Sequence, residues 1–484
     1  MSQAQTRSAE SKPGAPQPSA SGSALGKRLW APLAWIDRRW RERVLLEIDQ
    51  HGRWSAITPD RDPTDDAERL TGPVLPGLVN AHSHAFQRGF AGLTERRDAA
   101  HDDFWSWREQ MYSLALRISP EQLRAIAAQL YSEMLEGGYT QVCEFHYLHH
   151  DHHGQPYADP LAMSRALAEA AADTGIGLTL LPVLYERAGF AQPALSERQR
   201  RFKTTVDQVL AMRDAIRAWR MPEVSAGVAI HSLRAASPQS ITQLADALAG
   251  DPGPIHIHVA EQQAEVRDCV ATTGLRPIAW LGAHVAIDSR WHLVHATHAD
   301  ASDIAAVAGT GAGVVICPTT EADLGDGRFD FEGWSERGVP LSIGSDSHVC
   351  RQWTQELRLL EYSQRFALER RNVGAAPARG EPSTATNLFA IALAGGTRAA
   401  GFGSHPSGLI PGARADAVVL DPNAAGLLAV RPDDLLDAAV FACDSAPIDQ
   451  VWVAGVRRVS SGRHHRREQF ARGFVAAMSG PREP

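Results

Sequence analysis

From Val74 onward the chain keeps one rhythm, in which short runs rich in Val, Ile and Leu are followed by longer stretches with apolar residues at helical spacing. The runs cover residues 74–82, 139–146, 176–185, 224–231, 254–261, 291–296, 312–318 and 340–346. Between them, segments such as 241–249, 264–273 and 301–309 gather their apolar side chains on one helical face. This alternation predicts a parallel sheet with helices packed outside it. Eight runs is the number that closes a (β/α)8 TIM barrel, the fold class expected here.

The flanks read differently. Residues 29–58 hold Trp30, Trp35, Trp40 and Trp54 among alternating apolar and polar positions, a pattern of short strands with tryptophan as packing anchors. Residues 408–421 and 450–459 have the same turn-punctuated character. Both ends of the chain are therefore expected to pair into one small β-sandwich-like domain beside the barrel. The expected organisation is a disordered tail over 1–25, the N-terminal part of the small domain over 26–73 and the catalytic barrel over 74–400. The C-terminal part of the small domain then spans 401–465, and a C-terminal helix or tail spans 466–484.

Composition narrows the partners. With 44% hydrophobic and 21% charged residues in 484, the chain is ordinary for a soluble globular protein. A net charge of -8 argues against nucleic acid or an anionic membrane as the partner, so an acidic ligand must be met by particular arginines. The first 25 residues, rich in Ser, Ala, Pro and Gly, contain no apolar core of a signal peptide, and no later stretch has the length of a membrane span. Cys143, Cys269, Cys317, Cys350 and Cys443 are scattered and free of C-x-x-C spacing, as expected of reduced thiols in a cytoplasmic protein.

His82 ends the first run and His84 follows two residues later, where strand geometry points both imidazoles the same way. His258 and Glu261 end the fifth run, His295 the sixth and Asp346 the eighth. In a barrel these strand ends share one face, the face that carries active sites. A metal held by His82, His84, His258 and Asp346 would keep a position open for water, as a catalytic site requires. Other polar residues receive supporting roles: Glu144 as a buttress, His256 within the barrel and Arg88 as structural. His146, His149, His150, His152 and His153 are irregularly spaced and read as a polar loop without metal.

The segment P-G-L-V-N-A-H-S-H (76–84), the His258 to Glu261 spacing, His295 and the S-D of 345–346 resemble the amidohydrolase superfamily, in its deaminase-like branch with one metal ion. H-A-F-Q-R (84–88), E-F-H-Y-L-H-H-D (144–151), H-S-L-R (231–234), H-V-A-E-Q-Q-A-E-V (258–266), T-E-A-D-L-G-D-G (320–327) and G-S-D-S-H-V (344–349) are similar to the formimidoylglutamate deiminases within it. The resemblance runs from about Leu75 to Asp421. It implies hydrolysis of N-formimino-L-glutamate to N-formyl-L-glutamate and ammonia, in histidine degradation. It further implies one zinc per subunit, with Fe2+ or another divalent metal also compatible, on His82, His84, His258 and Asp346. Glu261, His295 and Asp346 would be catalytic, and Gln87, Arg108, Tyr147, His231 and Arg234 would contact the substrate. The family also implies a homodimer. At Asp323 the chain departs from an expected Asn, which adds negative charge if that loop nears an anionic substrate.

Arg108 and Arg234 suit a dicarboxylate, because guanidinium forks match carboxylates in bidentate fashion. The alternative is a deaminase of a purine, pyrimidine or other cyclic amidine, which would call for an apolar or aromatic clamp on a flat ring. A two-metal amidohydrolase would need a lysine late in the fourth run, which instead ends in His231. A non-catalytic relative would lack a ligand or a proton-handling residue, and none is missing.

Overall fold

The computed structural model describes residues 26–96, 104–403 and 408–479; the expected tail over 1–25 lies outside the described residues. Eight parallel strands follow one another around a barrel: β1 (Leu78–Ser83), β2 (Tyr139–His146), β3 (Gly177–Leu184), β4 (Val228–Ser232), β5 (Ile255–Val259), β6 (Trp291–His295), β7 (Gly313–Ile316) and β8 (Leu341–Ile343). Each pairs with the next, and a parallel bridge between Ser83 and Asp346 joins the last to the first. Nearly every strand residue is buried, which is why these segments read as continuous apolar runs and not as alternation.

The helix Pro120–Glu136 shows how the outer layer is specified. It starts on a reciprocal cap between Ser119 and Gln122, with Pro120 in its first turn, and buries Leu123, Ile126, Leu130 and Met134 along one face. The C-terminal helix Arg467–Met478 packs against it.

Both flanks meet in a second, nine-stranded sheet. Val74–Pro76 lies at its centre, parallel to Arg28–Ile36 on one side and antiparallel to Ala417–Leu420 on the other. Its own core includes Leu29, Val44, Leu46, Trp54, Val419 and Trp452. The run 74–82 was expected as one barrel strand and is two. Val74–Pro76 belongs to the second sheet, and Gly77 turns the chain into β1. A Cβ at Gly77 would lie 2.3 Å from the Thr140 hydroxyl, so only glycine fits this turn. The C-terminal flank also holds a helix, Leu435–Phe441, whose buried Leu435, Leu436, Ala439 and Val440 face the helices Trp353–Leu368 and Thr384–Ala399.

Candidate active site

The closure of the barrel builds the site. Asn80 on β1 donates to the Ser345 hydroxyl at 2.6 Å and accepts from the Ser345 amide at 3.0 Å. Just beyond, the Asp346 amide donates to the His82 carbonyl at 3.0 Å. Gly344 permits this approach, since a Cβ there would stand 2.7 Å from the His82 Cβ. Asp346 itself has φ +44° and His295 φ +68°, left-handed conformations that non-glycine residues adopt only when held by their surroundings.

Three imidazoles and one carboxylate converge at this seam. His82 Nε2 lies 3.1 Å from His84 Nε2 and 3.0 Å from His258 Nε2, while Asp346 Oδ1 lies 3.4 Å from His82 Nε2 and 3.3 Å from His84 Nε2. His84 Nδ1 donates to the Phe145 carbonyl and His258 Nδ1 to the His231 carbonyl, each at 2.9 Å. A carbonyl can only accept, so these Nδ1 atoms carry the hydrogens. Burial lowers all three histidines, His82 to about 3, and favours neutral rings with Nε2 lone pairs exposed to one another. Lone pairs so arranged repel unless a cation lies among them. The spacings also match the edge of a tetrahedron around a cation with bonds of 2.0–2.1 Å, roughly 3.3 Å. The residues therefore fit a metal. Burial would raise Asp346, but the imidazoles of His82, His84 and His295 around it hold it well below the usual carboxylate range.

Beside the donor set, Arg234 Nη2 donates to Glu261 Oε2 at 3.1 Å, and Glu261 Oε1 lies 3.7 Å from His295 Nε2. His295 Nδ1 faces Glu321 Oε1 at 3.3 Å, and the same oxygen accepts the Cys317 amide at 2.9 Å. Burial disfavours a charge on His295, yet Glu261, Glu321 and Asp346 outweigh it and raise this group to about 10. Glu144 receives Ser83 and the Ala85 amide, both at 2.6 Å, and Tyr131 at 3.2 Å, which fixes the turn that carries His84.

A cavity of about 490 Å³ opens from this cluster. Gln87, Arg108, Tyr147, His231 and Arg234 all line it, together with Glu261, His295 and Asp346; His82 sits behind, fully buried. Gln87 donates to the Tyr147 hydroxyl at 3.1 Å while its Oε1 has no partner, and Arg108 Nε and Arg234 Nε are likewise buried without a hydrogen bond. Asp323 does not line the cavity, although its neighbour Leu324 does. Burial and Glu95 raise the Asp323 carboxyl to about 6.

One sequence expectation needs amendment. His146 and His149 are buried with their rings 4.7 Å apart, because His146 ends β2 inside the barrel wall and is not part of a polar loop. Nothing in the spacing of T-E-A-D-L-G-D-G signals that Glu321 faces His295. The spacing of Ser196 and Gln199 signals a helix cap, which the structure contains, but not that Gln199 reaches two cavity tyrosines.

The amidohydrolase family model matches residues 74–458. A formimidoylglutamate deiminase of Pseudomonas aeruginosa is 46% identical over 452 residues, covering 93% of this chain and 98% of that protein. A 5-methylthioadenosine/S-adenosylhomocysteine deaminase of Teredinibacter turnerae is 26% identical, covering 81% of this chain and 82% of that one. Among solved structures, an amidohydrolase from Brucella melitensis superposes with a TM-score of 0.87 at 42% identity, covering 93% of this chain and 99% of the other. A family match that spans the whole barrel and much of the second sheet, joined to near-complete coverage of a 46% identical relative, places the lineage: the chain belongs to the amidohydrolase family.

Proposed function

We propose that the chain hydrolyses N-formimino-L-glutamate to N-formyl-L-glutamate and ammonia. One observation carries the reading beyond the family: a single cavity joins a metal-fitting donor set to two arginines, Arg108, whose buried Nε makes no hydrogen bond, and Arg234, whose Nη2 holds Glu261 and whose Nε makes no hydrogen bond and lies 3.9 Å from Glu265. The 46% identical relative bears the name of this activity. A small molecule with an amidine at one end and two carboxylates at the other fits both ends of such a cavity.

His82, His84, His258 and Asp346 would hold the metal, and zinc suits three imidazoles and a carboxylate, as does Fe2+. When bound, the metal supplies an activated water at neutral pH. The protein's own residues manage the rest. Gln87 Oε1 accepts an N–H of the formimino group, and His231 and Tyr147 close the wall around it. Arg108 and Arg234 take the carboxylates and fix the amidine carbon against the donor set. Water adds to that carbon, its oxygen remains as the formyl carbonyl, and the bond to the imino nitrogen breaks. Glu261, fixed by Arg234, carries a proton to the departing ammonia, while His295, held by Glu321, faces the oxygen of the adduct.

The aromatic lining, with Phe104, Trp107 and Phe202, together with the 26% identical relative, supplies a second reading as a deaminase of a ring substrate. Ammonia release from formiminoglutamate, formiminoaspartate and adenosine by metal-loaded protein separates the two. Release from the ring compound and none from formiminoglutamate would refute the proposal. Five unpaired cysteines support a reducing compartment, the cytoplasm, and we further propose a homodimer with a place in histidine degradation. Among the described residues no helix is long and apolar enough to cross a membrane.

A further inference from the structure

One wall of the cavity is made by a polar triad that stands apart from the proposed catalytic residues. Tyr112 comes from the helix Phe104–Ala115, Tyr185 follows β3, and Gln199 lies in the short helix Glu197–Phe202. All three side chains are buried, and both tyrosines line the cavity. Gln199 Nε2 donates to the Tyr185 hydroxyl at 2.8 Å and to the Tyr112 hydroxyl at 3.1 Å. Its Oε1 is engaged by the Ser196 amide at 3.0 Å and the Ser196 hydroxyl at 2.8 Å.

That last pair of contacts fixes the direction of the amide. A backbone N–H cannot accept, so the oxygen of Gln199 must face Ser196 and the NH2 must face the tyrosines. Both hydrogens of that NH2 are then used, one on each phenol oxygen. Held by the same NH2, the two phenols also lie close enough to influence each other electrostatically. If one phenol donates to the other, the second still keeps its hydrogen; if neither does, both keep theirs. The triad therefore has at least one O–H that Gln199 cannot take, beside the cavity and near Arg108 and Arg234.

We infer that Tyr112 and Tyr185, oriented as donors by Gln199, bind a carboxylate of the substrate and set the preference for a dicarboxylate amidine. This rests on the proposed activity and deepens it. Gln199 acts only through the tyrosines and is a positioning residue. The arginines attract the anion, whereas the phenol donors fix where its oxygens lie, because a neutral O–H has a direction that a guanidinium charge alone does not impose. Gln199→Glu tests the inference with little change of shape. A carboxylate can only accept, so both phenols would turn their hydrogens toward it and away from the cavity, with a negative charge added behind them.

The experiment is calorimetric titration of the metal-loaded full-length protein with N-formyl-L-glutamate, paired with steady-state kinetics on formiminoglutamate. In the Tyr112→Phe/Tyr185→Phe double variant the Kd should rise about tenfold, the loss expected for a hydrogen bond to a charged group. Gln199→Glu should raise it at least as far. KM should follow Kd, with kcat retained within about threefold, since the loss falls on binding common to ground and transition states. The melting temperature reads any loss of fold separately, and the phenylalanine pair decides the matter if Gln199→Glu does not fold. Wild-type protein that binds the dicarboxylate, with both variants binding as tightly, overturns the role of the triad. Wild-type protein that neither binds it nor turns over formiminoglutamate overturns the proposed activity instead.

Discussion

Strand β5 carries His258 at its C-terminal end and His256 two residues earlier, both buried and both beside a histidine of another strand. His258 meets His82 at 3.0 Å, Nε2 to Nε2, and shares its surroundings with His84 and Asp346. His256 lies with its ring 4.9 Å from that of His292, and its Nε2 donates to the Ala399 carbonyl at 2.8 Å. Burial lowers both sets, His82 to about 3 and His256 to about 4, so a neutral imidazole is common to both. The difference lies in where the lone pairs go. In the first set His84 and His258 direct their Nδ1 hydrogens outward to carbonyls, and their Nε2 atoms face His82 and a carboxylate-bearing centre. In the second, the Nε2 hydrogen is spent on a helix end, and no convergent group of ligand atoms forms among the described residues. Metal competence comes from the seam between β1 and β8, not from burial.

Four variants break or sharpen this contrast. Asp346→Asn removes the carboxylate that distinguishes the two sets, and should cost metal retention and about 10³-fold or more in ammonia release. Metal analysis and a turnover assay check both, and full retention of either would erase the distinction. Glu261→Gln should keep the metal and lower kcat by about 10²- to 10⁴-fold, as removal of a proton-handling group does. Arg234→Ala should lower kcat/KM by about 100-fold, because it removes a charge-assisted contact and leaves Glu261 unpaired.

His256→Leu should have the smallest effect on function, with metal content and kcat unchanged. It also has a definite sign in pH. His256 takes up a proton at about 4 when folded, against 6.5 for an ordinary histidine. The unfolded chain therefore binds the proton first as pH falls. Stability from this residue is complete above pH 6.5 and declines toward pH 4, by roughly 3 kcal/mol in all. Denaturant midpoints measured across that window should fall less steeply in His256→Leu than in the wild type. Equal slopes would mean that His256 is not held neutral by burial.

Much of this was visible in the linear chain. Eight apolar runs gave the barrel because fully buried parallel strands leave an unbroken apolar signature, and the residues ending those runs gave the metal-fitting set. The i, i+2 spacing of His82 and His84 survives folding because a strand preserves it. What was hidden depends on loops and on the third dimension. Val74–Pro76 and β1 look like one strand in sequence, since only the approach of Thr140 shows why Gly77 must break it. Glu321 and Gln199 act through contacts with residues 26 and 14 positions away, His295 and Tyr185, and no local period encodes such contacts. His146 and His149 sit in a polar-looking sequence yet are buried, because the packing of β2 decides their exposure and not the composition around them.

The most direct test removes the metal and returns it. Protein stripped with a chelator should release no ammonia from formiminoglutamate, and zinc added back should restore turnover with a break at about one equivalent per chain, as a single site of three histidines and one aspartate requires. Full turnover in the stripped protein, or a break at about two equivalents, would contradict the account.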